Sequence, residues 1–240
     1  NVNSYRYEKY KFPQLLENIA NIPNLERIRY TSPHPEDIND KLLQIMSKYD
    51  NICNYVHLPL QSGSNKILKR MNRTYSKEHF LSLVNQIRNA LPNVGISTDI
   101  IVGFPGESDS DFDETLDVMK KVEFDSAFNF KYSVRRGTKA SEYEDQISEK
   151  IKQERLQRVI DLQKEHTLNR NLKIVGTSQE VLVEKESKML KTQWAGRTDS
   201  NKWVVFDKEN VKINDIISVK INEAKGITLY GHLIQILEAA

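Results

Sequence analysis

Gln61 and Ser62 follow the strand-like run Tyr55-Val56-His57-Leu58 and the break at Pro59, in the polar loop Gln61-Ser62-Gly63-Ser64. At a strand end such side chains can bond the hydroxyls of a ligand, or simply brace a turn through their own backbone. Arg73 offers a planar fork suited to a carboxylate, with an exposed helix-end arginine as the alternative. Asp99 is an acid inside the apolar run Ile96 to Val102. A buried unpaired charge is costly, so it calls for a cation or donor from a ligand or from the protein itself. Gly103-Phe104-Pro105-Gly106-Glu107 allows a flat group to approach the backbone with Phe104 beside it; otherwise it is a strand-to-helix turn with Glu107 near a helix start. His57 reads as a barrel-lining histidine with satisfied bonds rather than a base. No metal-ligand cluster and no nucleophile–base pair is visible, so no residue is assigned as catalytic or as a metal ligand. The one cysteine, Cys53, excludes an internal disulfide and a cysteine-only metal site, and reads as a small buried residue.

These residues need elements to position them. Arg27 to Tyr30, Tyr55 to Leu58, Ile96 to Val102 and Phe124 to Val134 read as strands. Between them, helices are expected around Leu42 to Met46, Ile67 to Met71, Phe80 to Leu91 and after the acidic stretch Ser108 to Asp113. Such alternation predicts an α/β fold with right-handed crossovers and a parallel sheet, open or curved towards a barrel. Functional loops then follow the strand ends, where His34, Gln61 with Ser62, Gly103 to Glu107, and Arg135 to Thr138 fall. Glu149 to Lys173 reads as one long amphipathic helix, with seven Lys/Arg against four acids. Beyond Gly176, five short alternating runs predict a small antiparallel barrel. The expected division is 1–173 and 174–240.

The chain has 240 residues, 38% hydrophobic and 28% charged, which fits a globular protein and not a membrane or disordered one. No signal segment opens it, so a cytoplasmic location is the default expectation. A net charge of +2 is too mild to argue nucleic-acid binding without local clustering.

Five strings together resemble one family, the methylthiotransferases of the radical-SAM superfamily. They are His57-Leu58-Pro59-Leu60-Gln61-Ser62-Gly63-Ser64; Arg70-Met71-Asn72-Arg73; Thr98-Asp99-Ile100-Ile101-Val102-Gly103-Phe104-Pro105-Gly106-Glu107; Tyr132-Ser133-Val134-Arg135-Arg136-Gly137-Thr138; and Gly196-Arg197-Thr198-Asp199-Ser200-Asn201. The opening Asn1-Val2-Asn3-Ser4-Tyr5 and Arg27-Ile28-Arg29-Tyr30-Thr31-Ser32-Pro33-His34-Pro35 resemble the branch that adds a methylthio group to C2 of N6-isopentenyladenosine beside the tRNA anticodon. Sister branches act on threonylcarbamoyladenosine or on a ribosomal-protein aspartate. A non-catalytic RNA-binding module stays open as a different class, and an ordinary barrel hydrolase or isomerase ranks last.

The resemblance implies the later strands of a partial (βα)6 barrel followed by an RNA-binding TRAM barrel. It implies S-adenosylmethionine as cofactor, held by Gln61, Ser62, Arg73, Asp99, Gly103 and Phe104. It also implies a tRNA anticodon stem-loop as partner, with Arg135, Arg136, Arg197, Lys202 and Trp203 as contacts. Arg136 and Lys139 depart from the family's usual prolines. The family's [4Fe-4S] clusters need cysteines that this sequence lacks. The chain opens at Asn1 in a loop-like stretch, so it is expected to be a fragment, with a missing N-terminal half as partner and no turnover of its own.

Overall fold

The computed structural model describes residues 1–31 and 33–238. Ser32, in the turn expected at Ser32 to Pro35, lies outside the described residues. A hairpin of β1 (Arg6–Tyr7) and β2 (Tyr10–Lys11) leads into α1 (Phe12–Ala20). That helix has no counterpart among the expected elements. Its signal is nevertheless present: Pro13 in the first turn, and Phe12, Leu16 and Ala20 buried on one side. Next comes α2 (Asp40–Lys48), where the Asn39 side chain accepts from the Leu42 N–H and Leu42, Leu43, Ile45 and Met46 are buried, as the pattern required.

The sheet itself is β3 (Tyr55–His57), β4 (Gly95–Val102) and β5 (Ser126–Lys131), parallel and in that order. Helices α3 (Asn65–Arg70) and α4 (Lys77–Ala90) cross from β3 to β4, and α5 (Asp109–Val122) from β4 to β5. Each starts on a serine cap: Ser64, Ser76 and Ser108. Phe80, Ile87, Phe112, Val118 and Phe124 fill the space between sheet and helices, where each large side chain contributes about 1.5–3 kcal/mol by burial. The expected strand at Arg27 to Tyr30 is a single bridge, Ile28 to Ile52. Its two arginines are drawn away: Arg27 donates to the Arg197 carbonyl at 2.8 Å and Arg29 to the Thr198 carbonyl at 3.0 Å.

The long helix α6 (Glu149–Leu172) is present, but it is not apolar on its buried side. Val159 is fully buried and Leu156 and Leu162 partly so, whereas Ile151 is exposed and Arg155, Gln163, Thr167 and Asn171 are buried. The reason is what the helix lies against. Gln163 donates to the Phe124 carbonyl and Thr167 to the Asp125 carbonyl, both at 2.9 Å.

Five strands follow: β6 (Ser178–Glu186), β7 (Gln193–Thr198), β8 (Trp203–Asp207), β9 (Ile216–Lys225) and β10 (Thr228–Glu238). They close into a barrel in the order β10-β8-β7-β6-β9. The barrel is antiparallel except between β8 and β10, which run parallel. An odd number of strands cannot alternate in direction all the way round a closed ring, so one such pair is obligatory. Val181, Val204, Phe206, Ile217, Val219 and Leu229 fill the interior.

The small barrel docks at the N-terminal end of the parallel sheet. Its Lys202 reaches Asp125, just before β5, at 2.5 Å, and a side chain on Gly95, the first residue of β4, would strike the Ser200 carbonyl. Among the described residues, no helix is long and apolar enough to cross a membrane.

Candidate functional site

At the opposite end of the sheet, past the C-terminal ends of the strands, lies a cavity of about 930 Å3. Gln61, Arg73, Asp99, Phe104 and Arg135 all line it. The chain leaves β3 through Pro59 and then rejoins β4, with the Gln61 N–H donating to the Asp99 carbonyl at 2.8 Å and Gln61 accepting from the Ile101 N–H at 2.9 Å. Gln61 adopts a φ of 68°, which seats it beside Asp99. Its side-chain amide has no hydrogen bond among the described residues. Arg73 follows α3 on the same cavity; its Nε is buried without a partner, and it makes no ion pair among the described residues.

Asp99 does both things the sequence left open. Its Oδ2 lies 3.3 Å from His57 Nε2, and its side chain also faces the cavity. His57 is satisfied as expected, since its Nδ1 also meets Ser97 Oγ at 2.8 Å.

Two expected contributors stay outside. Ser62 is fully buried under α5, where its hydroxyl meets Thr115 Oγ1 at 3.4 Å and accepts from the Ser64 N–H at 3.2 Å. The turn at Gln61 sends the two neighbours in different directions, so only Gln61 reaches the cavity. Gly103 does not line it either. It sits at a φ of 70°, donates its N–H to Glu107 Oε2 at 2.7 Å, and packs so closely on α6 that an added Cβ would lie 2.4 Å from Lys152 Cγ. Glu107 is anchored in turn by Arg155 of α6, at 2.7 Å, with both side chains buried. Burial pushes the Glu107 carboxyl up, only partly offset by the bonds from Gly103 and Arg155. Gly103 and Glu107 thus hold the turn on which Phe104 stands.

One wall of the cavity comes from the segment after β5, which the sequence marked by its basic residues and by the string Tyr132 to Thr138. Gly106 donates to the Asp145 carbonyl at 2.9 Å, Arg70 pairs with Asp145 at 2.7 Å, and the Arg70 guanidinium stacks 4.4 Å from the Tyr143 ring centre. Phe104 meets Tyr132 edge-on at 5.0 Å and Tyr143 at 6.4 Å. Tyr132 and Tyr143 were missed as site residues. The strand string containing Tyr132 carried the first, and nothing local carried the second.

The basic residues around the cavity divide by partner. Lys66 is paired with Asp111, Lys77 with Glu114, Arg70 with Asp145 and Lys131 with Glu149. Lys69, Arg135, Arg136 and Lys139 are exposed and make no side-chain ion pair among the described residues. Of these, Lys69, Arg135 and Lys139 line the cavity, and Arg136 follows Arg135 in the chain.

In the small barrel, Lys202 is not a surface cation. It is 10% exposed and shares Asp125 with Arg170, besides reaching Asn171 Oδ1 at 3.1 Å. Burial works against the charged form of Asp125, but Lys202 and Arg170 overcome it and hold the carboxyl below its usual value. Arg197 is held by Glu184 at 2.7 Å and Asn201 at 2.9 Å, so its charge is largely committed. Trp203 is half-exposed, with Lys185 4.1 Å and Arg197 5.2 Å from its ring centre. Trp194 packs against the barrel core and donates to the Val211 carbonyl at 3.2 Å.

The Radical SAM superfamily matches residues 4–119, and the TRAM domain matches residues 173–234. The tRNA-2-methylthio-N(6)-dimethylallyladenosine synthase of Carboxydothermus hydrogenoformans is 46% identical over 237 residues, 98% of this chain and 54% of that protein. The synthase of the same name from Thermoanaerobacter sp. is 44% identical over 240 residues, 99% of this chain and 51% of that protein. Among solved structures, coproporphyrinogen III oxidase from Escherichia coli matches with a TM-score of 0.47 and 15% identity, over 69% of this chain and 45% of that one. The parallel sheet and the closed barrel are therefore a radical SAM portion and a TRAM domain in one chain. Within that class, the chain is similar to the radical SAM methylthiotransferases named above, and it spans about half the length of the curated relatives it matches.

Proposed function

We propose that this chain supplies the cofactor-holding and RNA-holding surfaces of a tRNA methylthiotransferase that modifies C2 of N6-isopentenyladenosine beside the anticodon. The reading divides the chain at residues 1–173 and 174–240 and has it work in the cytoplasm, with tRNA as partner. The observation that carries it is the meeting, on one cavity, of an unbonded amide (Gln61), an unpaired guanidinium (Arg73) and a carboxylate with one oxygen to spare (Asp99). S-adenosylmethionine fits this donor set. Arg73 would take its carboxylate, Asp99 its ammonium or ribose hydroxyls, Gln61 the remaining hydroxyl, and Phe104 would lie along the adenine.

Reductive cleavage of that cofactor at an iron–sulfur cluster supplies the radical chemistry in this family. The residues of this chain do not fit a cluster: Cys53 is the only thiol, is buried, and precedes β3 at the end of the sheet away from the cavity. Burial raises its pKa, the opposite of what a thiolate ligand needs. The cluster cysteines then belong to the part of the whole protein outside this chain. Lys69, Arg135, Arg136 and Lys139 would take phosphates at the cavity rim, and Trp203 with Lys185 a base or phosphate on the TRAM domain.

Calorimetry with S-adenosylhomocysteine, a redox-inert analogue, tests the cofactor half. Binding that falls at least tenfold in Arg73→Gln with unchanged melting temperature is expected. No binding by the unaltered chain would remove the reading. For the RNA half, a stem-loop carrying N6-isopentenyladenosine should bind more tightly than an unmodified one, and more weakly as salt rises.

A further inference from the structure

On the face of the sheet opposite Val56, Ile96 and Ile100, alternation brings together Tyr55 and His57 of β3 with Ser97 and Asp99 of β4. Tyr55 is 7% exposed and Ser97 not at all, so their polar atoms depend on one another. The phenol oxygen of Tyr55 lies 2.5 Å from Ser97 Oγ, Ser97 Oγ lies 2.8 Å from His57 Nδ1, and His57 Nε2 lies 3.3 Å from Asp99 Oδ2.

With His57 as the neutral imidazole and Asp99 as the carboxylate, the direction of these three bonds follows from counting donors. An ionised carboxylate only accepts, so the bond to Asp99 places the hydrogen on His57 Nε2. A neutral imidazole with Nε2–H has a bare lone pair at Nδ1, and Ser97 must donate there. The Ser97 oxygen is then left as acceptor for the Tyr55 hydroxyl. The chain therefore runs one way, Tyr55 to Ser97 to His57 to Asp99, and every hydrogen is assigned. It ends at a carboxylate whose other oxygen, Oδ1, has no hydrogen bond among the described residues, on a side chain that lines the cavity.

We infer that Tyr55, Ser97 and His57 are positioning residues for Asp99, a buried one-way hydrogen-bond chain that fixes the carboxylate so that Oδ1 accepts from a hydroxyl or ammonium of the bound sulfonium nucleoside. His57 Nε2 pins one oxygen and the pleat of β4 fixes the Cα, so little rotational freedom is left to be lost when a ligand binds. The identity of that ligand rests on the function proposed above; the direction of the chain does not.

Nitrogen-15 NMR of the imidazole ring and calorimetry with S-adenosylhomocysteine, both on this chain, separate the two. In the unaltered chain His57 should show the Nε2–H tautomer. Ser97→Ala removes the donor to Nδ1, so a mixture of tautomers should appear and affinity should fall about tenfold. Tyr55→Phe, nearly the same shape, should keep the tautomer and lose about threefold, and His57→Gln, which still offers a donor to Asp99, should retain more affinity than His57→Ala. A predominant Nδ1–H tautomer in the unaltered chain, or an imidazolium protonated on both nitrogens, overturns the inference. So does a Ser97→Ala chain with both tautomer and affinity unchanged. If the unaltered chain binds no S-adenosylhomocysteine, the cofactor reading falls, and the tautomer alone decides whether the chain runs as assigned.

Discussion

Gly103 and Arg73 are four-atom and eleven-atom answers to different demands, and substitution should separate them. At Gly103 the backbone is left-handed and Lys152 of α6 leaves no room for a Cβ. Gly103→Ala should therefore cost about 1–3 kcal/mol in a denaturant melt, with S-adenosylhomocysteine affinity lost only in proportion to unfolding. Arg73→Gln should behave the other way round, keeping stability within about 0.5 kcal/mol. The sequence drew both residues from one family pattern and could not tell them apart, because a motif preserves the turn that presents a ligand contact along with the contact itself. Ser62 shows the same limit. It adjoins Gln61 in the chain, but a positive φ at Gln61 puts their side chains to separate uses, and no period-based pattern registers a single left-handed residue.

At the scale of elements, α6 is the part least legible in advance. Its length and position were plain from Glu149 onward, yet its packing was not, since a helix facing carbonyls and an acid buries arginine and glutamine where a periodicity argument looks for leucine. Strands β3 and β4 and helices α2 to α5 were easier, because each presents apolar residues to one shared core, whereas β5 leaves Phe128 and Phe130 exposed. Arg155 ties α6 to the turn after β4. Arg155→Ala would leave the Glu107 carboxylate buried without its cation and should lower unfolding free energy by about 3–5 kcal/mol in urea titration. Among the described residues, the segment between β5 and α6 carries three unpaired cations, Arg135, Arg136 and Lys139, with Lys69 on α3. Charge removal at Arg135, Arg136 or Lys139 should each weaken stem-loop binding across sequences and reduce the magnitude of the salt slope by about 1, read from log K against log salt.

For the whole molecule, the contact between the two units depends on Asp125. Its carboxyl titrates below the value it would have in an unfolded chain, about 3.9, so the ion pairs contribute fully at neutral pH and are lost as pH falls through the depressed folded value. Calorimetry should accordingly show the TRAM barrel separating from the sheet in acid, as a second transition. Asp125→Asn should produce that second transition already at neutral pH. Sequence alone assigned Lys202 to RNA as a cation of the small barrel beside the family string Gly196 to Asn201. Only the tertiary contact reveals that this turn faces the protein, and Arg27 and Arg29, drawn out of the expected strand, complete the same junction.

Docking at the N-terminal end of β4 also sets a length. Strand β4 runs eight residues from the Ser200 contact to the cavity side, on the order of 25 Å at about 3.3 Å per residue. With Asp125 clamped between Lys202 and Arg170, that separation is stiff, and the molecule behaves as a calliper with one jaw at the cavity and the other on the TRAM barrel. On the function proposed above, a free nucleoside would occupy only the first jaw and a folded RNA arm longer than the gap would close both, so substrate length would be measured before any base is read.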